Sequence, residues 1–255
     1  IRFFSASIFI MPFVLFKKSY RSKMNSIGLK DFFFVCLLGL INVFFSMGML
    51  QIAVHKGNAS IPAILISSNP VFVYIINSVY KRKFWKDTLI RISTGILGIT
   101  GIVLFSPEKQ LDNPLIAFPF AFGASFLFAV YTILAKHYVL KYGNLVVTFI
   151  SFLFGSLLYV PFIFAYEQAH TIVFNAQSIL ILIYMGIVIT GAGYVSYFKG
   201  LKNISIEKGS MVFFLKPVFA VLFSMLLLNE KLHMVQIFSI LLILLSLKPK
   251  FKIKK

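Results

Sequence analysis

The strongest chemical signal in the sequence lies between Glu207 and Glu230, an apolar stretch bounded by charge that holds Lys216 and Pro217 near its middle. The stretch has about twenty residues, enough for one helix to cross a bilayer. A lysine at the bilayer centre costs about 2.5–3.5 kcal/mol on insertion scales, and Pro217 leaves the carbonyl of Phe213 without its helical partner. Both features are tolerated beside protein or a water-filled cavity, so together they predict a cavity at mid-membrane depth. The alternative is a kinked structural helix whose lysine reaches toward the membrane surface.

Lys216 is the only charged residue that we place deep in the membrane, because all seven acids lie at or beyond a predicted membrane boundary. A substrate carboxylate or phosphate would bind this ammonium group through a charge-assisted hydrogen bond. We therefore predict that Lys216 faces the cavity, with Asn69 across from it, and that the substrate carries an anionic group. Without a carboxylate at mid-membrane depth, facilitated diffusion or exchange is a simpler mechanism than proton coupling.

A second proline, Pro70, interrupts another apolar segment and gives a second set of candidate substrate-binding residues. Ser68 and Asn69 precede it directly, and three tyrosines lie in other apolar segments. A tyrosine buries its ring and still donates a hydrogen bond, so it suits a polar substrate in an apolar cavity. Helix packing explains each tyrosine equally well. The candidate substrate-binding residues are Lys216, Asn69, Ser68, Tyr131, Tyr194 and Tyr197, and Pro70 and Pro217 are the structural helix breaks.

Other kinds of chemistry find little support in the sequence. The four histidines lack the spacing of metal ligands, and the single cysteine, Cys36, excludes intramolecular disulfides and zinc clusters. A membrane enzyme acting on lipid-linked substrates would need clustered acids or a set of nucleophiles. The acids Asp31, Asp87 and Asp112 stand alone. We therefore predict no enzyme activity, no metal and no cofactor.

The composition defines the elements that must position these residues. Hydrophobic residues make up 59% of the 255 residues and charged residues only 13%. That is too little charge for the surface of a water-soluble domain, so the chain is predicted to be an all-α polytopic membrane protein. Nine apolar segments can be marked, at 1–17, 32–54, 59–80, 88–106, 114–136, 145–166, 177–198, 208–228 and 232–247.

The formal net charge of +18 is explained by topology. Twenty of the 25 basic residues fall in alternate connections and in the C-terminal tail, and only Arg2, Lys56, Lys109 and Lys231 lie on the other side. Basic residues are enriched on the cytoplasmic side of membrane proteins. This side and the C-terminus are therefore predicted to be cytoplasmic, in the cytoplasmic (inner) membrane, and nucleic-acid binding is not needed to explain the charge.

The sequence also contains an internal repeat. A shift of 147 residues places Gly39 on Gly186, and it places the triplet that begins at Pro70 on the triplet that begins at Pro217. The apolar segments follow, with 1–17 falling on 148–164, 32–54 on 179–201 and 59–80 on 206–227. Corresponding segments are an odd number apart, so the two copies cross the membrane in opposite directions. Inverted repeats with broken helices at the midplane are typical of secondary transporters.

Segment 114–136 has no counterpart, because the shift places it before Ile1. The predicted fold is therefore two inverted five-helix repeats, 1–106 and 114–255, in which the first helix of the first repeat is missing. This arrangement gives nine transmembrane helices. We expect a gap where the tenth helix belongs.

Several motifs together resemble the EamA-type transporters of the drug/metabolite transporter superfamily. They are Arg2-Phe3, the stretch from Ala53 to Ala59 followed by Pro70, Gly193-Tyr194 with Tyr197-Phe198, and the run from Ser210 to Glu230 that contains VFFLKPVFA and ends in NE. The resemblance covers essentially the whole chain. It implies two five-helix repeats and transport of small metabolites, often export of amino acids or related compounds. In the first half Lys83 stands opposite Glu230, so a helix-end acid role applies only to Glu230.

The sequence therefore predicts a secondary transporter that moves a small metabolite, an amino acid or related compound with an anionic group, by alternating access. Its predicted partners are that substrate and the lipid bilayer, with a homodimer left open. A non-transporting receptor or scaffold is the first alternative, and an integral-membrane enzyme on lipid-linked substrates is the second.

Overall fold

The computed structural model describes residues 1–56, 65–104, 114–161, 175–228 and 234–247, and within them it contains helices and no strands. Helix is found in the described part of every predicted apolar segment. The α-helices are α1 Arg2–Phe16, α2 Lys18–Asn25, α3 Leu29–Gly39, α4 Met47–Lys56, α5 Asn69–Lys81, α6 Lys86–Leu104, α7 Pro114–Tyr142, α8 Asn144–Leu157, α9 Ala176–Tyr184, α10 Gly193–Leu201, α11 Ile206–Ser210, α12 Leu215–Leu228 and α13 Met234–Leu247. Two π-helical segments, Leu40–Ser46 and Met185–Ala192, and one 3-10 segment, Met211–Phe214, join some of these helices.

Among the described residues, four continuous helical stretches are long and apolar enough to cross a membrane: Leu29–His55, Ala117–Tyr142, Asn144–Pro161 and Ala176–Leu201. The bent pair α1–α2, whose axes differ by 98°, would make a fifth. The predicted nine spans are not reached among the described residues. The described ranges of α5, α12 and α13 have 13 or 14 residues each, and α12 and α13 adjoin residues outside the described part of the chain.

The two predicted helix breaks start new helices. Pro70 is the second residue of α5, which follows a turn at Ser68. Pro217 is the third residue of α12, which follows the 3-10 segment Met211–Phe214. Proline suits the first turn of a helix because the N–H that it lacks has no intrahelical partner there. In the described structure both prolines therefore lie where the missing N–H leaves no helical hydrogen bond unmade.

The chain divides into two compact units, and the first comprises Ile1–Gly48 and Val130–Ile204. In this unit α1 and α3 both pack on α8, and α1 also packs on the π-helical segment Met185–Ala192. Glycine makes the close approach of α3 to α8 feasible, since a Cβ on Gly39 would collide with the backbone carbonyl of Ser151. A Cβ on Gly186 would collide with Ser5 on α1.

The second unit comprises Met49–Ala129 and Ser205–Lys255. Its most extensive helix pair is α6 with α13. Glycines on α6 allow its close approach to its neighbours: a Cβ on Gly98 would lie 2.7 Å from the Ser239 carbonyl, and one on Gly95 would collide with the ring of Phe214. The core around them is apolar, with Ile99, Phe214 and Ile243 almost fully buried.

Each unit combines helices from both predicted repeats. The shift of 147 residues places Leu29, the first residue of α3, on Ala176, the first residue of α9. It also places the π-helical segment Leu40–Ser46 on 187–193, where the segment Met185–Ala192 lies. The corresponding helices α1 and α8 pack together in the first unit, as α6 and α13 do in the second.

Candidate functional site

The three candidate tyrosines lie together in the first unit, where they form what we call the tyrosine cluster: Tyr131 on α7 and Tyr194 and Tyr197 on α10. Tyr131 is fully buried, and its ring centroid lies 6.4 Å from that of Tyr194. Tyr194 and Tyr197 are three residues apart, so they occupy one face of α10. The rings of Phe152 and Phe198 enclose the cluster, at 4.9 Å from Tyr194 and 5.8 Å from Tyr131.

Polar side chains that the sequence analysis did not select adjoin the tyrosine cluster. The Asn42 amide is fully buried near the hydroxyls of Tyr131 and Tyr194, and Ser151 lies near Tyr131. Among the described residues, neither polar atom of Asn42 makes a hydrogen bond of normal geometry. Asn42 lies in a π-helical segment, so local helix geometry sets its direction. One signal in the sequence was available, because Asn42 is the only amide between Phe32 and Leu50.

Asn69 and Ser68 lie in the second unit, at the start of α5. The side chain of Asn69 is fully buried, and its amide nitrogen donates a hydrogen bond of 3.1 Å to the backbone carbonyl of Ser125 on α7. Ser68 is half-buried, and its carbonyl accepts a bond of 2.9 Å from the N–H of Val71 across the turn. In this conformation Asn69 ties α5 to α7.

Lys216 is also in the second unit, on α12, and its side chain is exposed. Its ammonium group lies 4.5 Å from the centroid of the Phe213 ring, a distance that suits a cation–π interaction. Phe219 and Phe223, three and seven residues further along, are exposed as well. Lys216 therefore lies at the N-terminal end of an exposed aromatic face of α12, outside the core of its unit.

A buried carboxylate in the second unit was not expected from the sequence. Glu207, at the start of α11, is only 4% exposed and accepts a hydrogen bond from the amide of Asn77 on α5. The ammonium group of Lys81 lies 4.0 Å from the same oxygen. Glu207 lies in the first turn of α11, at a position that the sequence places at the boundary of a predicted membrane segment. The amide and the lysine offset the cost of burying its charge there, and they join α5 to α11.

A surface cluster in the first unit joins two helix ends. The Asp31 carboxylate, at the start of α3, accepts bonds from the Lys141 ammonium at 2.6 Å and from the Tyr142 hydroxyl at 2.5 Å, both at the end of α7. These groups line an open depression of about 570 Å³ together with Ser26, Gly28 and Lys30. The depression is wide and exposed, and its ion pair holds the two helix ends together.

The remaining predictions concern Glu230 and metal sites. Glu230 lies outside the described residues. Among the residues that the structure describes, no group of three histidine, cysteine or acidic side chains could hold a metal ion. The six candidate substrate-binding residues divide equally between the units: the tyrosine cluster is in the first unit, and Ser68, Asn69 and Lys216 are in the second.

The chain is similar in sequence to known transporters and in fold to a solved structure. It is 29% identical over 250 residues to an uncharacterized transporter of Clostridium kluyveri, and the match covers 96% of this chain and 79% of the relative. It is 25% identical to an uncharacterized transporter of Archaeoglobus fulgidus, covering 90% of this chain and 78% of the relative. A protein of known crystal structure has the same fold, with a TM-score of 0.80 at 11% identity, covering 96% of this chain and 83% of that one.

The EamA-like transporter family matches residues 1–104 and 115–247. Apolar helices long enough to cross a bilayer agree with a multi-pass membrane protein. Since the two matches together cover nearly the whole chain, the protein belongs to the EamA-like transporter family.

Proposed function

We propose that this protein is a secondary transporter that moves a small metabolite with an anionic group across the cytoplasmic membrane by alternating access. The observation that carries the proposal is Lys216, a cation inside an apolar helical stretch, one residue before Pro217 and exposed in its unit. Membership of a transporter family gives the general activity. The position of the Lys216 ammonium group supports a substrate with an anionic group.

An inverted repeat underlies the proposed mechanism, and three observations support it. The family matches the chain twice, over 1–104 and 115–247. The π-helical segments of the two halves occupy corresponding positions. The glycines Gly39 and Gly186 correspond and make reciprocal contacts, Gly39 with α8 and Gly186 with α1, while α1 and α8 themselves correspond. Such quasi-symmetry is what alternating access requires, because the two halves exchange conformations to open opposite faces.

The proposed chemistry assigns the anionic group of the substrate to Lys216. The ammonium group now rests on the ring of Phe213, a weaker partner than a carboxylate or phosphate oxygen. A substrate with an anionic group and an apolar portion would contact both Lys216 and the exposed aromatic face that follows it. Ser68, Asn69 and the tyrosine cluster are proposed to provide further polar contacts during the transport cycle.

The proposed orientation places the basic connections and the C-terminus in the cytoplasm. The predicted topology assigns α2, the connection between α5 and α6, and the end of α10 to this basic side, and each of them carries lysine or arginine. Their positive charge favours the cytoplasmic face of the inner membrane. Attaching a reporter enzyme that is active on only one side of the membrane to the C-terminus would test this orientation.

The transport test begins with a screen for the substrate. Purified protein is heated with pairs of compounds that differ only in an anionic group, such as an amino acid and its methyl ester, or a phosphate ester and its alcohol. The proposal expects the anionic member to raise the melting temperature, because a ligand of the native state stabilises it. The radiolabelled compound should then enter proteoliposomes that contain the protein.

Substitution of Lys216 separates the proposed chemistry from general transport. Lys216→Met should reduce uptake of the anionic compound by about tenfold or more, given the usual strength of a hydrogen bond to a charged group. Lys216→Arg should keep part of it. The control is Lys86→Met, which removes an exposed lysine from the start of α6. Normal uptake by Lys216→Met would refute the role of Lys216, and ligand binding without uptake of any compound would favour a receptor.

A further inference from the structure

An apolar groove of about 310 Å³ lies in the first unit, at the ends of two membrane-crossing helices. Met24 and Ile27 line it from the end of α2 and the turn that follows, Phe32 from the first turns of α3, and Phe149, Ile150 and Phe154 from α8. The rings of Phe32 and Phe154 meet edge to face with centroids 5.3 Å apart. The groove is therefore open and bounded by apolar side chains, and no described residue fills it.

The groove lies at the depth of one leaflet. Phe32 is three residues from the start of the stretch Leu29–His55, and Phe149 is five residues from the start of Asn144–Pro161. At 1.5 Å per residue, the groove lies within about 15 Å of the helix ends, and half a hydrocarbon core is about 15 Å thick. In the proposed orientation these ends are cytoplasmic, so the groove faces the acyl chains of the cytoplasmic leaflet.

Helix α2 carries positive charge to the mouth of the groove. It turns 98° away from α1, which places it along the membrane surface if α1 crosses the bilayer. Lys23 immediately precedes Met24 of the groove, and its side chain passes over Gly143, where an added Cβ would lie 3.8 Å from the lysine Cδ. Lys23 is thus held beside the junction of α7 and α8.

Lys202, just past the end of α10, lies near enough to Lys23 and Lys199 for both charges to act on it. Partial burial, together with the positive charges of Lys23 and Lys199, lowers the pKa of Lys202. The acid nearest in sequence to the groove, Asp31, is already bound to Lys141 at 2.6 Å. The local balance is therefore positive, and a phosphate group would relieve the repulsion among the lysines.

We propose that this groove binds an anionic phospholipid of the cytoplasmic leaflet, with one acyl chain along the apolar side chains and the headgroup phosphate on Lys23, Lys199 and Lys202. The proposal rests on the orientation given above but not on the transport activity. Charge complementarity favours a lipid over a second copy of this chain, because a like-charged copy would bring further lysines to the same place.

Native mass spectrometry of the purified full chain in detergent would test the proposal. The probes are phosphatidylglycerol, phosphatidylcholine with the same acyl chains, and glycerol 3-phosphate. We expect phosphatidylglycerol to be retained about tenfold more strongly than phosphatidylcholine, as a few lysines near a membrane surface permit. Glycerol 3-phosphate should not compete, because it lacks an acyl chain. Equal retention of the two lipids, or full competition by glycerol 3-phosphate, would overturn the proposal.

Variants locate the bound lipid. The triple variant K23Q/K199Q/K202Q should lose the preference for phosphatidylglycerol. The control K83Q/K86Q/K208Q removes equal charge from exposed lysines of the second unit and should keep it. Ile27→Trp, at the half-buried edge of the groove, should weaken retention of both lipids.

If the control loses the preference as fully as the triple variant, the charge effect is general and the site is wrong. A dimer that carries no lipid would mean that a second copy covers the groove. Because these readouts need no substrate, they stand apart from the transport test.

Discussion

Asn69 and Lys216 fall on each other in the two predicted repeats, each directly before a proline in the first turn of a helix, yet their surroundings differ. Asn69 is fully buried and bonded to the carbonyl of Ser125. Lys216 is exposed, with its ammonium group on the ring of Phe213. Both halves therefore have a proline at the start of a helix, but only the second half has a charged side chain before it. An internal repeat can supply a symmetric mechanism and still leave the binding of the substrate to one half.

The largest expected effect on stability comes from exchanging the residue types at positions 69 and 216. Asn69→Lys would place a cation in a fully buried position next to Ser125, and we expect it to cost about 3–5 kcal/mol and to abolish folded protein. Lys216→Asn should leave folding almost unchanged, because its side chain is exposed and single surface substitutions usually change stability by less than about 0.5 kcal/mol. Size-exclusion chromatography of detergent extracts, with melting temperatures of the purified proteins, measures both effects.

The outcome that would contradict this comparison is a well-folded Asn69→Lys variant. It would mean that the start of α5 opens to water as readily as the start of α12. Asn69→Ser serves as the matched control, because it keeps a polar side chain at the position without adding charge.

Gly39 and Gly186 give a second comparison, in which substitution is expected to have a smaller effect on stability. A Cβ on Gly39 would collide with the backbone of Ser151, which cannot move without displacing α8. A Cβ on Gly186 would collide with the Ser5 hydroxyl, which can rotate away at the loss of its 3.0 Å bond to the Arg2 carbonyl. We expect Gly39→Ala to lower the free energy of unfolding by about 3 kcal/mol and Gly186→Ala by about 1 kcal/mol, the limits usual for overpacking.

Thermal unfolding of the two alanine variants in the same detergent would measure this difference. The double variant Ser5→Ala/Gly186→Ala should recover much of the loss, since it removes the colliding oxygen. No equivalent second substitution can relieve Gly39→Ala, because the obstacle there is backbone. Equal losses from both glycine variants would show that the two crossings tolerate overpacking alike.

Two of the predicted segments lie within three residues of the helical stretches at each end, because apolar length is a direct signal of such helices. The segment predicted over 177–198 appears as the continuous stretch Ala176–Leu201, and that over 32–54 as Leu29–His55. Both prolines lie in the first turn of a helix, the position that suits a residue without an N–H in any fold. The π-helical segments were not predicted, because a single extra residue in a turn leaves the apolar composition unchanged.

The surroundings of the candidate residues could not be predicted to the same degree. Burial of Asn69 and Glu207 depends on which helix packs beside them, and a hydropathy pattern does not contain that information. The tyrosine cluster shows the same limit: the face shared by Tyr194 and Tyr197 follows from their spacing, whereas the arrival of Tyr131 from α7 follows only from tertiary structure.

The smallest expected change in stability distinguishes two buried amides, Asn42 and Asn69. Among the described residues, Asn42 makes no hydrogen bond of normal geometry, whereas Asn69 donates one to Ser125. Asn69→Leu should therefore cost about 1–3 kcal/mol, because it removes a buried hydrogen bond to the Ser125 carbonyl. Asn42→Leu should change the free energy of unfolding by less than about 1 kcal/mol, since replacing a poorly bonded amide with an apolar group of similar volume is nearly neutral.

If the amide beside Tyr131 and Tyr194 serves the substrate, Asn42→Leu should nevertheless reduce uptake into proteoliposomes. A large loss of stability in Asn42→Leu would show that the amide is a structural tie like that of Asn69, and unchanged uptake would remove the tyrosine cluster from the proposed site.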